Sequence, residues 1–139
     1  MKAILQRVNS AAVTITGQPR REIQQGLAIF LGISTTDSEQ DVGWLVDKII
    51  NLRIFPDERG KFYNSVLDVK GELMVISQFT LFADCRSGRR PDFIAAAKPE
   101  LALPLYNDFI NKLTATGLYT ISGEFGAMML VEIHNFGPV

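Results

Sequence analysis

The strongest constraint on the fold is a continuous apolar run at residues 26–33, which begins at Gly26 and contains Ile29, Phe30 and Ile33. A strand with one solvent-facing side alternates polar and apolar residues, whereas a strand buried on both faces is apolar throughout. The run therefore predicts a strand that is buried on both faces. The chain of 139 residues has the usual length of one domain and can bury a core without a metal or disulfide.

Two helices are predicted from apolar stripes. In the first helix, the residues spaced i, i+3, i+4, i+7 and i+8 are Val42, Leu45, Val46, Ile49 and Ile50. Thr36 and Glu39 have the spacing of a capping box at its start. The second helix is expected over residues 99–116, with Gly117 at the position of a left-handed C-cap. Pro104 either kinks the first turn of this helix or marks its true start.

The other apolar or alternating segments predict strands at residues 2–8, 11–16, 72–78 and 127–135. Residues 56–60 have the chemistry of a turn, and residues 79–98 are irregular and polar. The order of elements is then βββ-α-β-α-β. It predicts an α/β single domain over residues 1–139, with a strongly curved mixed sheet or partial β-barrel covered by two main helices.

Composition excludes several classes of protein. The chain has fourteen basic and fifteen acidic residues, and this net charge of −1 is unlike that of proteins that coat nucleic acid. No apolar stretch is long enough to span a bilayer, and the first residues lack a signal-peptide core. The single cysteine, Cys85, excludes an internal disulfide and a cysteine zinc cage. We therefore expect a cytoplasmic protein with no membrane association, no metal and no cofactor.

The usual catalytic motifs are missing from the chain. Cys85 and His134 are the only cysteine and histidine, and a thiolate–imidazole dyad is possible in principle. Nothing in the sequence brings them together, so two incidental residues are the favoured interpretation. There is no Walker loop and no GxGxxG, so nucleotide hydrolysis and dinucleotide chemistry lose their usual support.

Three segments remain as candidate sites. One buried strand ends in SQFTL, at residues 77–81, where backbone N–H groups could face an oxyanion; the alternative is a strand end that turns a corner. Near the C-terminus, the Gly137-Pro138 dipeptide is typical of a turn, and its peptide bond is either cis or trans. A glycine-containing loop, which is either a solvated surface or a contact for phosphate or carboxylate, holds Arg86, Arg89 and Arg90.

Taken together, these segments resemble those of the D-aminoacyl-tRNA deacylases of the bacterial and eukaryotic type. The most specific part of the resemblance is the ordered pair SQFTL at residues 77–81 and NFGPV at residues 135–139. The resemblance covers nearly the whole chain, and its further matches are Gln6-Arg7-Val8, Arg53-Ile54-Phe55, Gly88-Arg89-Arg90-Pro91 with Phe93, and residues 123–127.

The resemblance implies a homodimer in which the partner chain completes each active site. A cis Gly137-Pro138 peptide would enter the partner subunit's pocket, and Arg7 would hold that loop in place. Ser77 would line the same pocket, with Phe125 and Met129 in its wall. No metal or other cofactor is implied, and the loop arginines are candidate contacts to tRNA.

The implied reaction is hydrolysis of the ester of D-aminoacyl-tRNA, and of mischarged glycyl-tRNA, to free amino acid and tRNA. Phe79 would bind the 3′-terminal adenosine, and nearby backbone amides would face the ester carbonyl. Gln78 and Thr80 complete the candidate catalytic set, with Thr80 assigned to hydrogen bonding before nucleophilic attack because no base lies beside it in sequence. A ribose 2′-hydroxyl would assist, and main-chain carbonyls of the Gly-Pro loop would exclude L side chains.

Two departures from the family pattern stand out. Phe136 occupies a position that is commonly acidic or small, so we expect it to repack the Gly-Pro loop. Family members usually continue with a threonine and a short final strand after the residue equivalent to Val139, and that strand is expected to be missing. Two other functions remain open: an esterase or amidase with Thr80 or Ser77 as nucleophile, and a non-catalytic dimeric module that binds tRNA or DNA.

Overall fold

The chain forms eight strands and two α-helices, and the computed structural model describes residues 1–139. The elements are β1 (Lys2–Ile15), β2 (Arg21–Ile23), β3 (Gly26–Gly32), α1 (Glu39–Asn51), β4 (Phe55–Pro56), β5 (Phe62–Asn64), β6 (Glu72–Ser77), α2 (Pro99–Thr114), β7 (Thr120–Ser122) and β8 (Met129–Asn135). A 3₁₀ turn, Phe79–Phe82, follows β6. Neither α-helix is both long and apolar enough to cross a membrane.

The main sheet is mixed and curls into a nearly closed barrel. Its strand order is β2-β1-β3-β6-β7, and β8, which is outside this order, also pairs with β1. The strands β3, β6 and β7 are parallel, whereas β1 runs antiparallel to β2, β3 and β8. The short strands β4 and β5 form a separate hairpin around the predicted turn at residues 56–60. The predicted α/β domain with a curved mixed sheet and two main helices is confirmed.

Strand β1 replaces two predicted strands. Residues 2–8 pair with β3, and residues 11–13 pair with β2. The ladder to β8 shifts register between Val8 and Ser10, which bends β1 without ending it. The bend explains why the alternation in the sequence breaks at this point although the strand continues.

The predicted burial of β3 on both faces is confirmed. Leu27, Ile29 and Leu31 are at most 1% exposed and pack in the core between the sheet and the two helices. The alternate residue Ala28 is fully buried in a second core inside the barrel, with Met74 and Ile76 of β6. Strands β3 and β6 therefore lie between two apolar layers, and this fixes the end of β6 rigidly.

Helix α1 begins two residues later than the predicted capping box. Its N-cap is Ser38, whose N–H and hydroxyl donate to Asp41 Oδ2 at 2.8 and 2.7 Å. These hydrogen bonds hold the pKa of Asp41 below its ordinary value. The pairing of Thr36 with Glu39 was wrong because the Thr36 hydroxyl lies 3.2 Å from that of Ser34, in the turn before the helix.

Helix α2 starts with Pro99 in its first turn, so Pro104 does not mark the start. Pro104 lies inside the helix on an exposed face, one turn after the N-terminus. At that place its missing N–H removes a single solvent-side hydrogen bond. The helix ends at Thr114, and Gly117 has φ +84° in the left-handed conformation predicted for it.

Candidate functional site

A cavity of about 420 Å³ opens between the end of β6 and the segment that leads into β8. Its lining is mostly apolar, and it includes five of the predicted site residues: Ser77, Gln78, Phe79, Phe125 and Met129. These residues come from two segments that are almost fifty positions apart in sequence. The curl of the sheet brings the two segments together, so a pocket forms where sequence motifs alone indicated only two separate anomalies.

The end of β6 supplies the polar side of this cavity. The Gln78 N–H donates to Leu31 O at 2.8 Å, which is the last hydrogen bond of the β3–β6 pairing. The chain then enters the 3₁₀ turn, whose first N–H groups have no partner within the turn. The Gln78 side-chain amide donates to the Thr80 hydroxyl. This is the only side-chain hydrogen bond of the Thr80 hydroxyl, so no titratable side chain is in hydrogen-bond contact with it.

Phe79 presents an aromatic face beside the cavity. Its side chain is 57% exposed, although a ring of this size is normally buried. The ring of Phe93 packs against it edge-to-face, with the centroids 4.9 Å apart. A ring that is held from one side and exposed on the other can stack on a nucleobase.

Tyr106 supports the cavity from below. It is 2% exposed, and its hydroxyl donates to Val75 O at 3.0 Å. Burial raises the pKa of this hydroxyl to about 12, while hydrogen bonding with Ser122 and the backbone of Ser77 acts in the opposite direction. The Tyr106 ring lies 5.7 Å from that of Phe125, in the wall of the cavity. Sequence reasoning missed this residue, because a hydrogen bond from α2 to β6 leaves no local signal in the sequence.

Gly123 leaves room for Met129 in the opposite wall. A Cβ added to Gly123 would lie 2.4 Å from Met129 Sδ and 3.2 Å from Ile76 Cδ1. Both contacts are closer than ordinary van der Waals packing. The glycine therefore leaves space for the Met129 side chain, which packs against the core inside the barrel.

The Gly137–Pro138 peptide bond is cis, as the resemblance implies. Arg7 binds this loop with its side chain: Nε donates to Phe136 O at 3.0 Å and Nη2 to Gly137 O at 3.2 Å. Its backbone also takes part, because the Phe136 N–H donates to Arg7 O at 2.6 Å. The side-chain amide of Asn135, with its nitrogen facing Gln6, donates to Gln6 Oε1 at 2.8 Å.

The Gly-Pro loop and the cavity of one chain lie apart. Arg7 pairs with Leu27 and Leu27 with Leu73, whereas Ser77 lies four residues further along β6. These positions are separated by about 13 Å along the strands and about 10 Å across two strand spacings. Accordingly, no residue of the loop lines the cavity of its own chain.

The arginine loop follows the 3₁₀ turn. Arg86 is paired with Asp84, with Nε 2.9 Å from Oδ1, and this contact raises the pKa of Arg86 and lowers that of Asp84. Arg89 and Arg90 are exposed and form no ion pair within the chain. The three arginines are therefore not equivalent, since one is neutralised locally and two are free.

Cys85 and His134 are not brought together as a dyad. Cys85 is exposed in the loop after the 3₁₀ turn. His134 lies on β8, where it pairs with Ser10 of β1. Neither residue lines the cavity at the end of β6.

Comparison with solved structures identifies two close folds. One chain, described as a c-Myc DNA unwinding element binding protein, is 43% identical with a TM-score of 0.92, covering 100% of this chain and 95% of that one. Another, described as a probable eukaryotic D-amino acid tRNA deacylase, has a TM-score of 0.86 at 15% identity, covering 98% and 94%. The second likeness shows the fold alone.

Curated relatives match over the whole chain. A D-aminoacyl-tRNA deacylase of Aquifex aeolicus is 51% identical over 139 residues, which are 100% of this chain and 94% of that protein. A D-aminoacyl-tRNA deacylase of Dehalococcoides mccartyi is 53% identical, and the match covers 100% of this chain and 91% of that protein. The family model described as D-Tyr-tRNA(Tyr) deacylase matches residues 4–139, and the chain therefore belongs to that family.

Proposed function

We propose that this protein hydrolyses the ester bond of D-aminoacyl-tRNA and releases free D-amino acid and tRNA. The observation that carries the proposal is the family segment SQFTL, at residues 77–81, on the rim of a cavity of about 420 Å³. The curated relatives with this name are about half identical to the chain over its full length. The exposed ring of Phe79 would stack on the 3′-terminal adenosine.

The chemistry asks little of the protein, because the substrate is an activated ester. The free N–H groups at the start of the 3₁₀ turn would stabilise the oxyanion, and one such donor is worth roughly 10²–10³ in rate. A ribose 2′-hydroxyl would orient the attacking water or carry its proton. The Gln78–Thr80 hydrogen bond would shape this site, with Thr80 as a hydrogen-bonding group and not as a nucleophile.

Stereochemical selection would come from a homodimer. The Gly-Pro loop lies far from the cavity of its own chain, so a second copy would have to supply it. The carbonyl of Gly137 already accepts from Arg7, which leaves it one lone pair, together with Pro138 O, for the substrate ammonium. An L side chain would then collide with main chain, whereas a D side chain, or the hydrogen of glycine, would not.

The tRNA would also contact the arginine loop. Arg89 and Arg90 are exposed and unpaired, whereas Arg86 is held by Asp84. Phosphate contacts make binding depend on salt, with a slope set by the number of phosphates neutralised. Replacing Arg89 and Arg90 with glutamate would flatten the salt dependence of tRNA binding, and an unchanged slope would remove this contact from the proposal.

Steady release of D-tyrosine from D-tyrosyl-tRNA tests the main proposal. We expect many turnovers at protein concentrations far below that of the substrate, without added metal, and much slower release from L-tyrosyl-tRNA. Glycyl-tRNA should be hydrolysed as well. Absence of turnover, with the protein folded, would contradict the proposed activity.

A second candidate function is non-catalytic binding of DNA or tRNA by a dimer. It is favoured by the 43% identity to the chain described as a DNA unwinding element binding protein. Such a module would bind nucleic acid with no release of amino acid beyond the amount of protein added. The same turnover experiment therefore separates the two functions.

A further inference from the structure

Arg7 carries a buried positive charge that no carboxylate neutralises. The residue is 3% exposed, and none of the ion pairs in the chain includes it. Its guanidinium donates to three main-chain carbonyls, those of Ile54, Phe136 and Gly137. Burying a cation is costly unless its surroundings replace the water that it loses. Neutral carbonyls provide only part of this replacement.

Two aromatic rings also face the guanidinium. The Arg7 guanidinium carbon lies 4.5 Å from the ring centroid of Phe136 and 5.4 Å from that of Phe62. Both distances are within the range of cation–π attraction, which strengthens when the cation is shielded from water. Phe62 is on the β4–β5 hairpin, far from the Gly-Pro loop in sequence, and its side chain is 53% exposed. An exposed phenylalanine on a short hairpin has no core to fill, so its contact with Arg7 stands out.

We propose that Phe62 and Phe136 are positioning residues that hold Arg7, and through it the Gly137–Pro138 loop, in the geometry that discriminates D from L substrates. We call Arg7 with these two rings the Arg7 clamp. The inference rests on the proposed function, because the loop would act in the partner's cavity. Discrimination by main-chain collision requires a loop that cannot yield. A loosened clamp would let the loop move away from an L side chain.

The experiment compares Phe62→Leu and Phe136→Leu with a matched control, Tyr63→Leu. Tyr63 is the next residue on the same hairpin, it is 59% exposed, and its ring lies 5.3 Å from Arg53 in a contact of the same kind. The measured quantity is the ratio of kcat/KM for D-tyrosyl-tRNA to that for L-tyrosyl-tRNA. We expect each clamp variant to lower this ratio about 3- to 10-fold, in keeping with the loss of about 1 kcal/mol of cation–π attraction.

Rescue separates positioning from general support of the fold. Phe62→Tyr and Phe136→Tyr keep an aromatic face and should restore the ratio, whereas leucine keeps apolar bulk without a π face. Tyr63→Leu should leave the ratio unchanged. An unchanged ratio in both clamp variants, or an equal fall in the Tyr63 variant, would overturn the proposal.

Amide hydrogen exchange provides a readout that needs no activity. The Phe136 N–H is bonded to Arg7 O, and it should exchange faster in Phe62→Leu than in Tyr63→Leu. If exchange accelerates but the wild-type protein hydrolyses no aminoacyl-tRNA, the clamp stands and the proposed function fails. If the wild-type protein is active and exchange of the Phe136, Gly137 and Val139 N–H groups does not change, the clamp fails.

Discussion

At the scale of single residues, the Tyr106 hydroxyl stabilises the wall of the cavity although it does not line the cavity. Tyr106 joins α2 to the end of β6 through its hydrogen bond to Val75 O. Replacing it with phenylalanine removes this hydrogen bond, while Val75 O keeps the one that it accepts from the Gly123 N–H. We therefore expect Tyr106→Phe to lower the free energy of unfolding by about 1 kcal/mol at pH 7, measured by urea denaturation. Tyr119→Phe, at an exposed tyrosine, is the control and should have no effect.

Alkaline pH tests the same residue with a defined sign. The folded-state pKa of Tyr106 is about 12, above the ordinary value of 10.0. The unfolded chain therefore loses this proton first, so the stabilisation is complete below pH 10 and is lost as pH rises from 10 to 12. We expect the free energy of unfolding to fall more steeply over this interval in the wild-type protein than in Tyr106→Phe. Equal slopes would show that the hydroxyl is not buried as described.

Gly123 gives a prediction about the cavity wall. A methyl group at this position would displace Met129, whose sulfur lies 2.4 Å from the place of the new Cβ. Because the thioether is flexible, Gly123→Ala should fold with a loss of about 1–3 kcal/mol while reshaping the cavity. We expect KM for D-tyrosyl-tRNA to rise several-fold. Gly126→Ala would be a poor control because Gly126 has positive φ, whereas Gly43 on α1 has open space and serves well.

At the scale of elements, the sequence predicted the long helices and strands, although it divided β1 in two, and it missed most of the short strands. The stripes of α1 and α2 and the apolar run of β3 extend over enough residues for their period to show. Strands β2, β4, β5 and β7 have two or three residues each, and no period can be recognised in so few. The boundary of α1 failed for a different reason, because two capping pairs with the same spacing overlap and only packing selects between them.

The α1 cap offers a test at this scale. Ser38→Ala removes the hydroxyl that donates to Asp41 and should destabilise the protein by about 1 kcal/mol. Thr36→Ala, at the cap that the structure does not use, should change stability much less. Since the pKa of Asp41 is lowered in the folded state, the stabilisation is present above its ordinary pKa and is lost as pH falls below it. Thermal melts between neutral and acidic pH measure both effects.

At the scale of the whole molecule, the sequence predicts the separate segments of the candidate site, but it does not predict which of them meet in space. The motif at residues 77–81 was recognisable because its five residues are consecutive in the sequence. Its meeting with Phe125 and Met129 depends on the curl of the sheet, and the contact of Phe62 with Arg7 depends on where a short hairpin folds back. Neither of these two contacts can be recognised in a continuous segment of the sequence. The distance between the cavity and the Gly-Pro loop of one chain likewise appears only in three dimensions.

For the proposed homodimer, that distance makes a prediction about mixed dimers. One subunit carries Gln78→Ala with Phe79→Ala in its cavity, and the other carries Gly137→Val in its loop. A Cβ at Gly137 meets only the side-chain amide of Asn135, at 3.6 Å, so the valine should fit its own chain and obstruct only a partner's cavity. Each variant alone should be nearly inactive. Random mixing makes half of the dimers heterodimers, and each of these keeps one intact site of two, so about a quarter of wild-type activity should return.

The mixed dimer also decides between a shared and a self-contained site. If each chain used its own loop, both lesions would leave no intact site in any combination, and mixing would restore nothing. Mixing two preparations of the same loop variant is the control for the mixing procedure and should remain inactive. Recovery requires that an intact cavity meet an intact loop on different chains, because neither variant holds both. Activity that stays at the level of the separate variants, with heterodimers demonstrated by mass, would contradict a site completed by the partner.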